Sequence, residues 1–314
     1  DELYSNRKGS DTPDDYINSI GGSLLYTSDF KLNNKNKILV NASVRLKNSI
    51  SDLQSTSFPS HSDTSLENYQ FSPRINKLQS FGKKELSSVY GLDFQFARYS
   101  SDRKKNKFVA PLHVYDAHQL VQSLYSQHNL EFNDRLSLGA GIRSERNFIY
   151  IKDYLYNGAV NYANWNIEHE KYSDREINNA LNLGLDFRLS PNSNFYSRVG
   201  SGYRYPNIDD RIGGSGNASL HLNTQKTNDF ELGLKLEEKY ISYQLSSFII
   251  NSKNEIGYDA DNYVNYNLSN TQRYGIEFKL QNYINDKINI SNNFTFIKAK
   301  YTSDADTNQY NSTV

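Results

Sequence analysis

Residues 181 to 189 read Leu-Asn-Leu-Gly-Leu-Asp-Phe-Arg-Leu. Leu181, Leu183, Leu185, Phe187 and Leu189 take every second place, and Asn182, Gly184, Asp186 and Arg188 fill the places between. Successive side chains of a strand point to opposite faces, so as a strand this stretch has one apolar face and one polar face; as a helix it would scatter both. The same period of two recurs outward in both directions. Ile38, Val40, Ala42, Val44 and Leu46 oppose Asn41, Ser43, Arg45 and Lys47; Leu136, Leu138, Ala140 and Ile142 oppose Ser137, Gly139, Gly141 and Arg143. Further on, Phe230, Leu232, Leu234 and Leu236 oppose Glu231, Gly233, Lys235 and Glu237, and Tyr274, Ile276, Phe278 and Leu280 oppose Gly275, Glu277, Lys279 and Gln281. The three-and-four spacing of helices is almost absent, and the chain is all-β.

Short polar connections join these strands in pairs: Asn33 to Lys37, Gly82 to Lys84, Asn133-Asp134, Ser190 to Asn194, Glu237 to Tyr240 and Asn285 to Lys287. Between the pairs run long stretches without a period, at 51 to 65, 100 to 117, 144 to 177, 206 to 227 and 253 to 271. Short and long connections therefore alternate. That parity requires a weak strand near residues 66 to 80, marked only by Tyr69, Phe71 and Ile75, and brings the count to twelve.

The 314 residues are 37% hydrophobic, 13% aromatic and 22% charged, with 35 basic against 35 acidic side chains, no Cys and no Met. The hydrophobic share is low for one large core, yet the aromatics are too many for a disordered chain. A balanced charge offers no basic surface to nucleic acid. Without Cys there is no disulfide frame, thiol nucleophile or Cys-ligated zinc. No apolar run reaches the length of a membrane helix, and no stretch of this sequence reads as a signal peptide. Asp1 in place of an initiator Met, and the polar end from Thr307 to Val314, suggest an excised piece.

Twelve amphipathic antiparallel strands fit either a soluble sandwich or barrel with apolar faces inward, or a membrane barrel with apolar faces toward lipid. Strands of roughly 9 to 13 residues suit a tilted bilayer span, and strictly alternating short and long connections suit periplasmic turns and extracellular loops. The polar face carries Arg45, Lys47, Arg143, Asp186, Arg188, Glu231, Lys235, Glu277 and Lys279 among Gly, Ser and Asn, which suits a wet lumen. Tyr26, Phe30, Phe94, Phe96, Phe132, Phe195, Tyr203, Tyr205, Tyr243, Phe294 and Phe296 lie in strands or near their ends, as girdle residues do, although strand propensity also favours them. The membrane barrel is the reading that follows.

The densest motif region runs from Phe195-Tyr196-Ser197-Arg198-Val199-Gly200-Ser201-Gly202-Tyr203-Arg204-Tyr205-Pro206-Asn207, through a Gly-rich loop, to Leu222-Asn223-Thr224-Gln225-Lys226-Thr227-Asn228-Asp229-Phe230-Glu231-Leu232-Gly233. Here the sequence resembles the TonB-dependent outer-membrane receptors. In those, a strand ends in Gly-aromatic-Arg-x-Pro-Asn, and the next opens with a Leu-x-x-Glu/Gln-x-Ser/Thr-x-x-aromatic-Glu-x-Gly pattern. Tyr266-Asn267 with Arg273-Tyr274-Gly275-Ile276-Glu277, and Gly139-Ala140-Gly141-Ile142-Arg143, are similar to two further strands of that family, so the resemblance covers residues 135 to 300. Departures occur where the family often has Glu before an apolar residue and this chain has Asp209-Asp210-Arg211, and where Thr224-Gln225 replaces Pro-Glu.

The resemblance implies a transmembrane antiparallel β-barrel of the bacterial outer membrane. Residues 1–314 would form part of one barrel domain, about 12 strands of about 22, with roughly four strands before it and about six after. It also implies a plug domain, a TonB-contacting box and closing C-terminal strands, none of them visible in this chain. The function implied is uptake of a scarce nutrient (iron-siderophore, haem, cobalamin or similar), with energy relayed from the inner membrane by TonB to the plug. Its partners would be that ligand, outer-membrane lipid and TonB, but no nucleic acid. A plug-free porin-type diffusion channel and a soluble β-sheet carbohydrate-binding module are the alternatives.

Pro206 lacks an N–H and stops its strand. Gly200, Gly202, Gly233 and Gly275 share the lumen side with Glu231 and Glu277 and with Arg198 and Arg204, for which lumen ion pairs or contacts to an internal domain are expected. His61, His113, His118, His128, His169 and His221 show no metal spacing. Receptors for haem in this family place a His between the two motif boxes, and His221 lies at the edge of the second, so haem ligation there is the lesser reading. No nucleophile elbow or phosphate-cradling loop is present, and Gly213-Gly214-Ser215-Gly216 reads as a loop tip. We expect no catalytic residue, no cofactor and no resident metal, hence no enzyme. The loop at 144 to 177 concentrates Tyr150, Tyr154, Tyr156, Tyr162, Trp165, His169 and Tyr172, which could stack on planar or sugar ligands or pack on one another. Ligand contacts are expected from Tyr154, Tyr156, Trp165 and His169 there, and from Arg204, Tyr205, Asp209, Asp210, Arg211 and His221 around the motif loop.

Overall fold

A computed structural model describes residues 12, 14–54, 60–82, 84–111, 113–155, 168–212, 220–260, 264–285 and 287–302, the side chains of 155 and 168–170 excepted. One sheet of twelve strands dominates. Its strands are β1 (Tyr16–Asn33), β2 (Asn36–Leu53), β3 (Ser60–Phe81), β4 (Lys84–Lys104), β5 (His113–Glu131), β6 (Leu136–Leu155), β7 (Glu168–Ser190), β8 (Ser193–Arg204), β9 (Gln225–Glu237) and β10 (Ile241–Lys253). A small hairpin of β11 (Ile256–Asp259) and β12 (Val264–Asn267) stands apart, and the sheet resumes with β13 (Thr271–Asn285) and β14 (Ile288–Tyr301). Each strand pairs antiparallel with its neighbour in order, and among the described residues β1 and β14 have a ladder on one side only.

All six expected hairpin turns are present, and three close in the same way. The Oδ1 of Asn33 accepts the N–H of Lys35, that of Asn133 accepts Arg135 and Leu136, and that of Asn285 accepts Lys287 and Ile288, at 2.9 to 3.0 Å. A side-chain carbonyl thereby replaces the backbone acceptor of a turn. Gly82 turns the β3–β4 hairpin at φ 63°, a conformation that only glycine adopts without strain. The weak strand is real: β3 has 22 residues, although Pro73 sits mid-strand. Its ladder to β4 lapses at Ser72 and Pro73, between the pairs Phe71–Phe94 and Arg74–Gly91, because proline has no N–H to donate.

Strand length departs from the expected 9 to 13 residues. β2 to β7 run to between 18 and 23 residues, so the connections at 51 to 65, 100 to 117 and 144 to 177 are mostly strand. Period reading failed there because both faces change character. Outward Phe148, Tyr150 and Lys152 alternate with inward Ile149, Ile151 and Asp153, leaving neither face uniformly polar.

Register aligns the outward apolar residues into continuous rows. Leu24, Val44, Tyr69, Phe96, Leu120 and Phe148 stand opposite one another from β1 to β6. Phe187, Phe195, Leu234, Leu245, Phe278 and Phe294 do so from β7 to β14. Seven of these twelve side chains are exposed, from Phe187 at 37% to Leu24 at 72%, and the other five are half-buried between their neighbours, which is the arrangement of a wall whose outer face meets lipid. The described core lies on the opposite, inner face.

Candidate functional site

Inner-face registers from β4 to β7 grade from polar to apolar toward the long-connection end. Asp93, Ser123, Glu145 and Asn178 stand opposite one another in the first row. Two residues up come Gln95, Val121, Asn147 and Glu176, then Ala97, Gln119, Ile149 and Asp174, then Tyr99, Ala117, Ile151 and Tyr172. The lower rows line a cavity of about 300 Å³ that also touches Gln70, Arg143, Tyr203, Tyr205 and Asn207. Arg143 organises its floor. Its guanidinium donates to Asp93 at 2.7 Å, to Glu145 at 2.6 and 2.9 Å and to Ser123 at 2.6 Å, and Ser123 in turn donates to Glu145 at 2.6 Å. Two donors converging on one oxygen of Glu145, with a second carboxylate alongside, fix the fork of the arginine in place. Nearby, Gln119 donates to Asn147 at 2.8 Å.

The cavity roof comes from the motif segment. The ladder between β7 and β8 stops at Leu181–Ser201, where the Ser201 hydroxyl takes the Leu181 N–H at 3.0 Å. The chain then leaves β7 and turns inward, carrying Tyr203 and Tyr205 onto the cavity, and the Tyr205 phenol donates to the Glu145 carbonyl at 3.1 Å. Tyr205 lies past the end of β8; burial, with the Glu145 carboxylate adding to it, pushes its phenol up to about 12. Next comes a helix that the sequence reading did not anticipate, α1 (Ile208–Ile212). Asn207 caps it: its Oδ1 accepts the Asp210 N–H at 2.7 Å while Asp210 accepts the Asn207 N–H at 3.0 Å, a reciprocal capping box. Arg204 clamps Asp210 from outside at 2.8 and 3.2 Å.

Ile208 and Ile212 of α1, with Leu220, pack on the apolar inner rows of Tyr99, Tyr115, Ala117, Ile149 and Ile151. Arg211 goes in with them, fully buried. Its guanidinium donates to the Leu220 carbonyl and to the Tyr172 hydroxyl at 3.3 Å and lies 4.8 Å from the Tyr172 ring, while Nε and the second terminal nitrogen have no partner. The β11–β12 hairpin closes over the helix, as Asn265 donates to the Asp210 carbonyl at 2.7 Å. Asn267 exchanges two hydrogen bonds with the Asn223 backbone, at 2.7 and 3.1 Å, and so joins two motif segments lying 44 residues apart.

The expected ligand contacts therefore separate into groups. Tyr205 lines the cavity; Arg204 and Asp210 form the helix cap; Arg211 is buried and Asp209 exposed on α1. His221 meets the Tyr172 ring edge-on at 5.3 Å. Tyr154 lies one residue before the end of β6, its ring 6.0 Å from the Lys152 ammonium. His169 lies in β7, its side chain outside the description, and Tyr156 and Trp165 lie outside the described residues. Two ion-pair expectations change. Arg198 stands opposite Glu231 but reaches Asp229 at 3.6 Å, because the Tyr196 phenol occupies Glu231 at 2.8 Å; Arg204 pairs with Asp210. The lumen glycine rule holds at Gly233, where an added Cβ would stand 2.6 Å from the Tyr196 ring. Asp93, Ser123, Glu145 and Gln119 escaped sequence reasoning, because their meeting depends on register, and Tyr203, expected among the girdle aromatics, turns inward onto the cavity instead. Among the described residues no group of three or more His, Cys, Asp or Glu side chains could hold a metal.

A family model described as TonB dependent receptor-like, beta-barrel, matches residues 2–313. An uncharacterized TonB-dependent receptor of Haemophilus influenzae is 24% identical over 190 residues, which is 58% of this chain and 50% of that protein. Among solved structures, the ferric yersiniabactin uptake receptor FyuA of Yersinia pestis superposes at a TM-score of 0.73 with 14% identity, over 94% of this chain and 44% of its own. The Serratia marcescens hemophore receptor HasR, solved with its hemophore HasA and heme, gives 0.70 with 15% identity, over 90% of this chain and 49% of its own. The chain spans about half the length of these relatives, and the likeness to the two structures is one of fold.

Proposed function

The chain belongs to the TonB-dependent receptor β-barrel family, whose members are outer-membrane transport receptors, and on that premise we propose that it forms barrel wall and ligand entrance of a nutrient importer. The nutrient is a scarce one of the iron-siderophore, haem or cobalamin kind. Further strands, a plug and TonB belong to the whole receptor, in which β1 and β14 find their second neighbours and plug movement opens the lumen. The protein moves its ligand without making or breaking covalent bonds and is not an enzyme.

One observation carries this reading: a polar, hydrogen-bonding cavity faces the lumen beneath a capped helix at the long-connection end. A diffusion channel has no need of such a roof. Tyr205, Arg204, Asp209, Asp210 and His221, on or beside the roof, are the residues we assign to ligand contact, with Tyr154, Tyr156, Trp165 and His169 contributing from the β6–β7 connection; Arg211, expected at the ligand, is fully buried and supports the roof from within.

Uptake decides the matter. Cells expressing the full receptor are offered labelled ferric siderophores, haem or cobalamin, with and without functional TonB. We expect saturable uptake of one of these that disappears without TonB. Uptake that is unsaturable and indifferent to TonB would replace this reading with a passive channel.

A further inference from the structure

Charge is the property of the lumen cavity that the importer reading leaves open. The lining holds one cation, Arg143, and two carboxylates, Asp93 and Glu145. Every guanidinium nitrogen of Arg143 already donates to one of those carboxylates or to Ser123. Two carboxylates against one guanidinium leave one negative charge unmatched. Glu176, in the row above, adds another: it takes hydrogen bonds from Thr224 and Asn178 and, among the described residues, no ion pair. The cations nearby are engaged elsewhere or stand outside the lining. Arg204 is held by Asp210 at 2.8 Å, Arg198 pairs with Asp229 at 3.6 Å, and Arg211 lies beneath α1 against the Leu220 carbonyl and the Tyr172 ring. Arg74 shares the inward register with Gly91, one row below Asp93, and does not line the cavity.

The rest of the wall is uncharged and hydrogen-bonding. Gln70, Gln95 and Asn207 bring amides, each with donors and an acceptor, and Tyr203 and Tyr205, their rings 5.3 Å apart, bring phenols. An anion entering this space meets carboxylates that no cation balances, and like charges brought together in a partly dehydrated site reject a partner more strongly with each charge it carries. A neutral polar group finds donors and acceptors together and meets no such repulsion.

We propose that the cavity selects its ligand by charge: it admits an uncharged polar metal complex, of which a ferric trihydroxamate and cyanocobalamin are examples, and excludes anionic ones such as a ferric tricatecholate, ferric citrate or haem with its propionates. Asp93 and Glu145 set the preference, and Arg143 is committed to them and not to the ligand. The proposal rests on the importer reading and narrows it to one class of nutrient.

The test offers cells expressing the full receptor each of these five labelled complexes in turn, with and without functional TonB, and compares initial rates at limiting concentration. We expect TonB-dependent uptake of a neutral complex at least about tenfold faster than of any anionic one. Asp93→Asn removes one carboxylate and frees an arm of Arg143, and Gln95→Lys adds a cation to the lining without touching the Arg143 network. Each should raise the anionic rate relative to the neutral one by about tenfold, the effect of one unit charge a few ångströms away in a partly wet site, while continued uptake of the neutral complex shows that the barrel still assembles. Preferential TonB-dependent uptake of an anionic complex, or an unchanged ratio in both variants, overturns the proposal and leaves the importer reading in place. Uptake of none of the five in a TonB-dependent manner withdraws the importer reading and this inference with it.

Discussion

Tyr205 joins the motif segment to the barrel wall through one hydrogen bond, from its phenol to the Glu145 carbonyl at 3.1 Å. Tyr205→Phe is expected to cost ~1 kcal/mol, the net worth of a typical intramolecular bond. The effect depends on pH. Burial holds the folded phenol at about 12, against about 10 for a free tyrosine. The contribution is therefore complete below pH ~10 and is lost as pH rises through the folded value, because above ~10 the unfolded chain releases a proton that the folded one keeps. Thermal midpoints of the receptor and its Tyr205→Phe variant should differ at pH 8, and the advantage of the receptor should shrink as pH rises above ~10; a constant difference would show that the phenol is not the titrating group. At this scale the sequence was half legible. Alternation placed Arg143 on the inner face, but its partner Asp93 lies 50 residues earlier in the chain, and only strand register brings them to 2.7 Å. The same limit explains Arg198, whose directly opposed carboxylate is occupied by a tyrosine hydroxyl.

Among the elements, the strands were legible and the helix was not. A five-residue helix has no period to read, and Asn207-Ile208-Asp209-Asp210 becomes a capping signature only once the following residues are seen to be helical. Strand ends were misplaced for a related reason: above the lipid band β4 to β7 bury an inner apolar patch beneath α1, so hydrophobic residues occupy both faces. The capping box makes its own prediction. Asn207→Ala removes the cap acceptor and should cost ~1 kcal/mol, felt mainly by α1. Hydrogen exchange at residues 208 to 212 should then speed up about fivefold, as that energy implies, while β4 to β6 keep their protection. Unchanged exchange across α1 would mean that its apolar contacts hold the helix without the cap.

For the whole molecule, what matters is which side of the sheet meets lipid. Twelve strands in simple order, outward apolar rows in register from β1 to β6 and from β7 to β14, and a polar inner face carrying a roofed cavity form a membrane wall with a site inside it. This was the most legible level, because alternation and the parity of connections are properties of the sequence itself, whereas the connections at the long-loop end carry no period to read. The absence of cysteine makes the claim directly measurable. Single cysteines placed in turn at residues 181 to 189 of the full receptor, spin-labelled in the outer membrane, report collision with oxygen dissolved in lipid and with a water-soluble nickel chelate. The account predicts a strict period of two, with oxygen dominating at 181, 183, 185, 187 and 189 and nickel at 182, 184, 186 and 188. Uniform water accessibility, or the opposite phase, would contradict it.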